Sequence, residues 1–165
     1  MATPTAIADN AIRYAGAEDL KDVREIFLEY AAWVSDDICF RSFERELAAL
    51  PGEYAPPSGG LLIAAPQGGN AGSRLAGCAA FRKLAATTAE MKRLYVRPAY
   101  RGSGLGRRLA VRIIEEARGA GYRTLRLDSL PRMEQALRMY RALGFQEIPP
   151  YGGNPPGAVC FELQL

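Results

Sequence analysis

The residues best suited to chemistry in this 165-residue chain are the glycines and arginines of R-G-S-G-L-G-R, Arg101 to Arg107. Gly102, Gly104 and Gly106 have no Cβ, so the backbone can take φ > 0 and lie close against a ligand. The loop opens a predicted helix whose first N–H groups lack carbonyl partners and whose dipole favours an anion. Arg101, Arg107 and Arg108 flank it, and a guanidinium offers an anionic oxygen paired, charge-assisted hydrogen bonds. A polyphosphate fits such a cradle. A glycine-rich turn leading into an ordinary helix fits the same letters.

Two common phosphate loops are excluded by spacing. A Walker loop needs G-x-x-x-x-G-K-[ST], and no Gly-Lys pair occurs in the chain, which makes ATP hydrolysis unexpected. A dinucleotide fingerprint needs G-x-G-x-x-G, and its last position falls on Arg107 or Leu109. The chain has no histidine, which removes Ser-His-Asp and Cys-His machinery and nearly all zinc catalysis, so no metal is expected. Any acid or base must be Asp, Glu, Tyr, Cys, Lys or water.

The pattern that does fit is R-x-x-G-x-G, Arg101 to Gly106, directly after a strand ending L-Y-V and a proline. It resembles the coenzyme-binding motif of the GNAT superfamily of acyl-CoA-dependent N-acetyltransferases. A-L-R-M-Y-R-A-L-G-F, Ala136 to Phe145, resembles the second GNAT signature, a helix with A-x-x-x-Y followed by L-G-F. The two occur in the usual order, and the resemblance runs from about Leu75 to the C-terminus.

That resemblance implies direct transfer of an acetyl group from acetyl-CoA, used as cosubstrate, to an amine of a small molecule or peptide. Leu94, Tyr95 and Val96 match the strand whose backbone pairs with the pantetheine and turns one N–H toward the thioester oxygen. Arg101, Gly102, Ser103, Gly104, Leu105, Gly106 and Arg107 match the pyrophosphate loop. Tyr140 matches the tyrosine that protonates the departing thiolate; its place on an apolar helix face is equally that of a core tyrosine. An ammonium acceptor must lose a proton before it attacks. Glu90 matches a position where many family members place a carboxylate or bind water, and it also reads as a solvated strand start. Asp128 is the other candidate base, or a cap on the turn into Pro131. The family pattern commonly has asparagine seven residues before the tyrosine, where this chain has Met133. That departure favours a rival reading, an acyl-CoA-binding sensor without chemistry.

These residues need a scaffold. The implied fold is α/β (α+β), GNAT-like: a mixed, mostly antiparallel sheet of about six or seven strands flanked by about four helices. Strands are predicted at 12–15, 61–65, 75–81, 90–96, 124–130, 145–151 and 158–165. Asp19 is a candidate N-cap for a helix with Leu20, Val23, Phe27, Tyr30 and Val34 on one face. Ser42 is a candidate cap for a second helix through Leu50. Leu105, Leu109, Ile113, Ile114 and Ala117 stripe a third helix ending near Gly119 and Gly121, and Met133, Leu137, Tyr140 and Leu143 stripe a fourth. The loop W-V-S-D-D-I-C-F, Trp33 to Phe40, is a connection whose Asp36 and Asp37 would suit a cationic amine.

Residues 1–165 are expected to form one domain, since 48% hydrophobic content at this length supplies a sizeable core. The net charge of +3 does not demand nucleic acid, and no nucleic-acid motif is recognisable. No apolar run approaches ~18 residues, so no membrane span is expected. Cys39, Cys78 and Cys160 are widely spaced, and the N-terminus does not read as a signal peptide, which suggests reduced thiols in the cytoplasm. The resemblance also leaves a homodimer through the C-terminal strands open.

Overall fold

The most apolar runs of the chain become two adjacent interior strands of a sheet. In the computed structural model, which describes residues 10–34, 40–67 and 74–165, β2 (Gly60–Pro66) and β3 (Gly77–Ala85) pair antiparallel. Each begins with five buried residues. Alternation decides which face each serves: Leu62, Ala64, Ala79 and Phe81 enter one core, while Leu61, Ile63, Cys78 and Ala80 enter another on the opposite face. Strands buried on both faces read as near-continuous hydrophobic runs, which is how they stand in the sequence.

The sheet has seven strands in the order β1-β2-β3-β4-β5-β7-β6. The others are β1 (Asn10–Tyr14), β4 (Thr88–Val96), β5 (Thr124–Ser129), β6 (Gln146–Ile148) and β7 (Val159–Gln164). Only β4 and β5 run parallel, as the intervening helix α3 (Leu105–Gly119) requires of a crossover. Leu109, Ala110, Ile113 and Ala117 of α3 pack on one face together with Leu137 and Tyr140 of α4 (Glu134–Ala142). Val23, Ile26 and Phe27 of α1 (Leu20–Val34) cover the other, beside Phe43 of α2 (Phe40–Ala49). The GNAT-like α/β architecture is thus present, with seven strands and four α-helices among the described residues.

Several local expectations are corrected. Asp19 does not cap α1; it closes a 3-10 turn at Ala17–Asp19, where its carboxylate accepts from the Gly16 N–H at 2.7 Å and from Arg13 at 2.6 and 2.9 Å. The nearby arginine makes this a better use of the carboxylate than a cap. Helix α2 begins at Phe40, so Ser42 lies inside it and is no cap. The strand predicted over 145–151 shrinks to Gln146–Ile148, because Pro149 and Pro150 carry no ladder donors. Asp36, Asp37 and Cys39 lie outside the described residues.

Two irregularities shape β4. Its pairing with β5 covers only Thr88 to Glu90, opposite Thr124 to Arg126, although β5 continues along β7 to Ser129. Its register with β3 shifts between Lys92, opposite Ala80, and Tyr95, opposite Cys78, leaving two residues facing one. This is a bulge, which bends a strand and raises its twist. Arg93 takes the left-handed conformation there, φ 60°, unusual for a residue with a side chain. Its buried guanidinium offsets the strain: Nε donates to Glu46 at 2.9 Å, and the group lies 5.2 Å from the Phe43 ring centre and 5.7 Å from that of Tyr30.

Candidate functional site

Where β4 leaves β5 a cleft opens, with a volume of about 760 Å³, the size of a small-ligand or cofactor site. One wall is β4 from Met91 to Val96; the other is the end of β5 with the first turns of α4. Beyond Glu90 the β5-facing edge of β4 has no ladder partner among the described residues, so main-chain groups there are available to a ligand. Leu94 and Val96 direct their side chains into the α3 core, while Tyr95 is buried beneath Tyr30 and Trp33, ring centres 6.0 and 5.7 Å away.

The glycine loop closes one end. Gly102 and Gly104 have φ of 78° and 80°, and a Cβ added at either would meet nothing within 4 Å. The backbone conformation, not crowding, demands glycine at both. Gly106 differs: its φ is ordinary and an added Cβ would sit 3.7 Å from Val96 Cγ2. Its glycine is not needed for the bend, contrary to the equal treatment of all three in the sequence. Leu105 is buried under the loop and anchors the first turn of α3. Ser103 turns away from the cleft, its hydroxyl donating to Tyr100 O at 2.6 Å. Arg107 lines the cleft and is exposed. Arg101 lines it too, but donates from Nε to Val96 O at 2.9 Å and stacks 5.0 Å from the Trp33 ring centre. Arg108 lies outside the lining, with Nη2 donating to Asn10 O at 2.9 Å.

Tyr140 stands in the opposite wall. Its ring is buried against Phe145 and Phe161, centres 5.8 and 5.9 Å away, so the structure grants the core-tyrosine reading its packing. Yet the residue lines the cleft, and no described residue holds its hydroxyl in a hydrogen bond. Burial, with smaller contributions from Tyr30 and Asp128, raises this phenol well above its ordinary value. It is therefore a neutral donor at any physiological pH.

Glu90 is not brought into the cleft. It is 3% exposed; Oε1 accepts from Arg82 Nε and Nη2 at 3.2 and 3.0 Å, and Oε2 accepts from the Tyr151 hydroxyl at 2.7 Å. The solvated strand start is thus corrected, because the hairpin places Arg82 directly opposite Glu90 and shields it. Burial and the adjacent Glu90 push the Tyr151 phenol far up, so it too remains a donor. Asp128 does line the cleft, with Lys92 Nζ 3.6 Å from its Oδ1. It caps no turn into Pro131 among the described hydrogen bonds. At Met133, the thioether accepts from Ser129 Oγ at 3.5 Å.

The sequence reading missed Arg82, Lys92 and Tyr151. Arg82 and Glu90 stand symmetrically about the turn between β3 and β4, which is a readable signal for a cross-strand ion pair. Tyr151 is brought to Glu90 from 61 positions away, and nothing local announces that.

The sequence matches the model of the acetyltransferase (GNAT) family over residues 20–145, most of the chain. The chain belongs to the acetyltransferase (GNAT) family. This acetyltransferase is 35% identical to an uncharacterized N-acetyltransferase of Schizosaccharomyces pombe, covering all of this chain and 99% of that protein. Its fold is shared by a GNAT-family acetyltransferase of Staphylococcus aureus, with a TM-score of 0.77, 16% identity and coverage of 94% of this chain and 98% of that one. It is shared also by yncA of Salmonella typhimurium, a structure containing its cofactor acetyl-CoA, with a TM-score of 0.73, 24% identity and 94% coverage of each chain. The seven-stranded mixed sheet and four helices are those of this family, and the chain is an acetyltransferase enzyme.

Proposed function

We propose that the enzyme transfers the acetyl group of acetyl-CoA directly to an amine of a small molecule or peptide. The observation that carries this reading is the cleft itself: an unpaired strand edge, a left-handed glycine loop at one end and the Tyr140 hydroxyl in the facing wall. The acetyl-CoA in the Salmonella neighbour supports the choice of cosubstrate. The N-acetyltransferase relatedness supports an amine acceptor.

In this reading the loop from Arg101 to Arg107 holds the pyrophosphate on N–H groups and on Arg107, and the edge of Leu94 to Val96, apart from the Val96 carbonyl that Arg101 occupies, pairs with the pantetheine. A backbone donor from that edge faces the thioester oxygen, where negative charge develops; fixed donors of this kind give a large share of many rate enhancements. The amine nitrogen forms its bond to the acetyl carbon as the carbon–sulfur bond breaks. The thiolate leaves against the apolar wall of Tyr140, where lack of water makes it a stronger base; the neutral phenol gives it a proton and is restored by the second proton that the acylated nitrogen sheds.

The proton lost by the incoming ammonium goes to Asp128, the more buried of the two carboxylates, Asp128 and Glu134, that line the cleft. Glu90 does not act directly; it holds Arg82 and Tyr151 and fixes the wall from which Lys92 projects. Free, buried thiols at Cys78 and Cys160 support a reducing, cytoplasmic setting. A screen of amines for thiol release from acetyl-CoA tests the proposal. Turnover with at least one class of amine is expected; coenzyme binding without turnover on any amine would overturn it in favour of a sensor.

A further inference from the structure

The end of the cleft away from the glycine loop holds an ion pair with unused hydrogen-bonding capacity. Lys92 Nζ stands 3.6 Å from Asp128 Oδ1 and 3.8 Å from Glu90 Oε1, beyond hydrogen-bond length. Its three N–H donors have no closer partner among the described residues, and neither do the oxygens of Asp128. Both side chains are mostly buried, 22% and 15% exposed, yet their charged ends open on the cleft, where a ligand reaches both. A ligand whose own charges complete the pair exchanges water there for charge-assisted hydrogen bonds.

The two groups project from opposite walls, Lys92 from β4 and Asp128 from β5, at the level where the strands have just separated. A cation and an anion about this far apart are the complement of a zwitterion whose ammonium and carboxylate share one carbon. We infer that the acceptor is an amine carrying a carboxylate beside it, an α-amino acid, with its carboxylate on Lys92 and its amine on Asp128.

The orientation suits the chemistry. It puts the reacting nitrogen on the carboxylate that takes its proton, and on the Tyr140 side, since Asp128 is near enough to help raise that phenol. A simple amine or a diamine leaves Lys92 uncompleted, and a second ammonium would be repelled by it. Arg132, which donates from Nη2 to Val34 O at 2.6 Å, adds positive charge to the same lining. Lys92 is thus a specificity-determining residue. This inference rests on the transferase reading above and narrows it.

The test measures kcat/KM by thiol release for the common α-amino acids, each paired with the amine left by its decarboxylation and with its methyl ester. The wild type is expected to favour the best amino acid over both partners by about 10- to 100-fold, the span of one charge-assisted hydrogen bond. Lys92→Met should bring that ratio to about one, and Lys92→Arg should keep most of it. Equal or reversed preference in the wild type overturns the inference without any variant, even if Lys92→Met fails to fold. A preference that survives Lys92→Met in a folded protein also overturns it. Turnover on plain amines or peptide N-termini alone would sink this inference and leave the transferase reading standing; no turnover on any amine would sink both.

Discussion

Tyr140 serves packing and, in the proposed mechanism, chemistry, and one substitution separates the two. Tyr140→Phe keeps the ring contacts with Phe145 and Phe161 and removes only a hydroxyl that no described residue binds. Stability and acetyl-CoA affinity should hardly change, while turnover should fall roughly 10²–10⁴-fold, the usual span for a lost general acid. Steady-state kinetics beside a coenzyme titration would decide it, and unchanged turnover would remove Tyr140 from the mechanism. At Asp19 the expected effect is on stability instead. Its hydrogen bonds from Arg13 hold the carboxyl below the usual carboxylate range, so folding favours the charged form. The stability this adds is present above about pH 4 and is lost as pH falls through the lower folded value. Melting curves between neutral and strongly acid pH should therefore show a shallower acid limb in Asp19→Asn than in the wild type. Single residues were also where the sequence was least legible. The two signatures announced Tyr140 and the loop, but the fate of Glu90 depended on Arg82 and Tyr151, partners set by strand register and by a distant loop.

At the level of elements, the glycine loop makes a sharper claim than its spacing could. The alternation of glycines suggested three equivalent positions, whereas the backbone takes positive φ only at Gly102 and Gly104 within that loop. Gly104→Val should abolish the shift in melting temperature produced by acetyl-CoA, because a β-branched residue does not hold φ near 80° and the helix start would be re-aimed. Gly106→Ala should leave stability within about 0.5 kcal/mol of the wild type, since its methyl meets Val96 at ordinary contact distance. Normal coenzyme binding by Gly104→Val would place the cradle elsewhere. Elements with strong periodicity, such as α3 and the buried strands β2 and β3, were legible because one face or both must be apolar whatever the partner. The bulge at Arg93 and the early parting of β4 from β5 were not. Both arise from how two strands meet, and the letters of one strand do not record it.

For the molecule as a whole, the cleft is a gap in an otherwise continuous sheet, with one core cluster on each face. The facing edges of β4 beyond Glu90 and of β5 beyond Arg126 therefore lack a hydrogen-bonded neighbour in the interior of the sheet. Acetyl-CoA should fill that gap, pairing with main-chain groups that the unfolded chain does not hold in place. A ligand bound only by the native state stabilises it by about 2.7 kcal/mol at ~100 times its dissociation constant. For a chain of this size that is a rise in melting temperature of roughly 5–10 °C. The gain should also be local in a way that simple tightening is not. Amide hydrogen exchange from Met91 to Val96 should slow markedly with coenzyme, while exchange in β2, already paired on both edges, should follow only the global stability. A melting temperature unmoved by millimolar acetyl-CoA would refute coenzyme binding. A rise in melting temperature with no selective protection of 91–96 would keep the coenzyme but deny it the free edge of β4, and with it the backbone donor on which the proposed transfer depends.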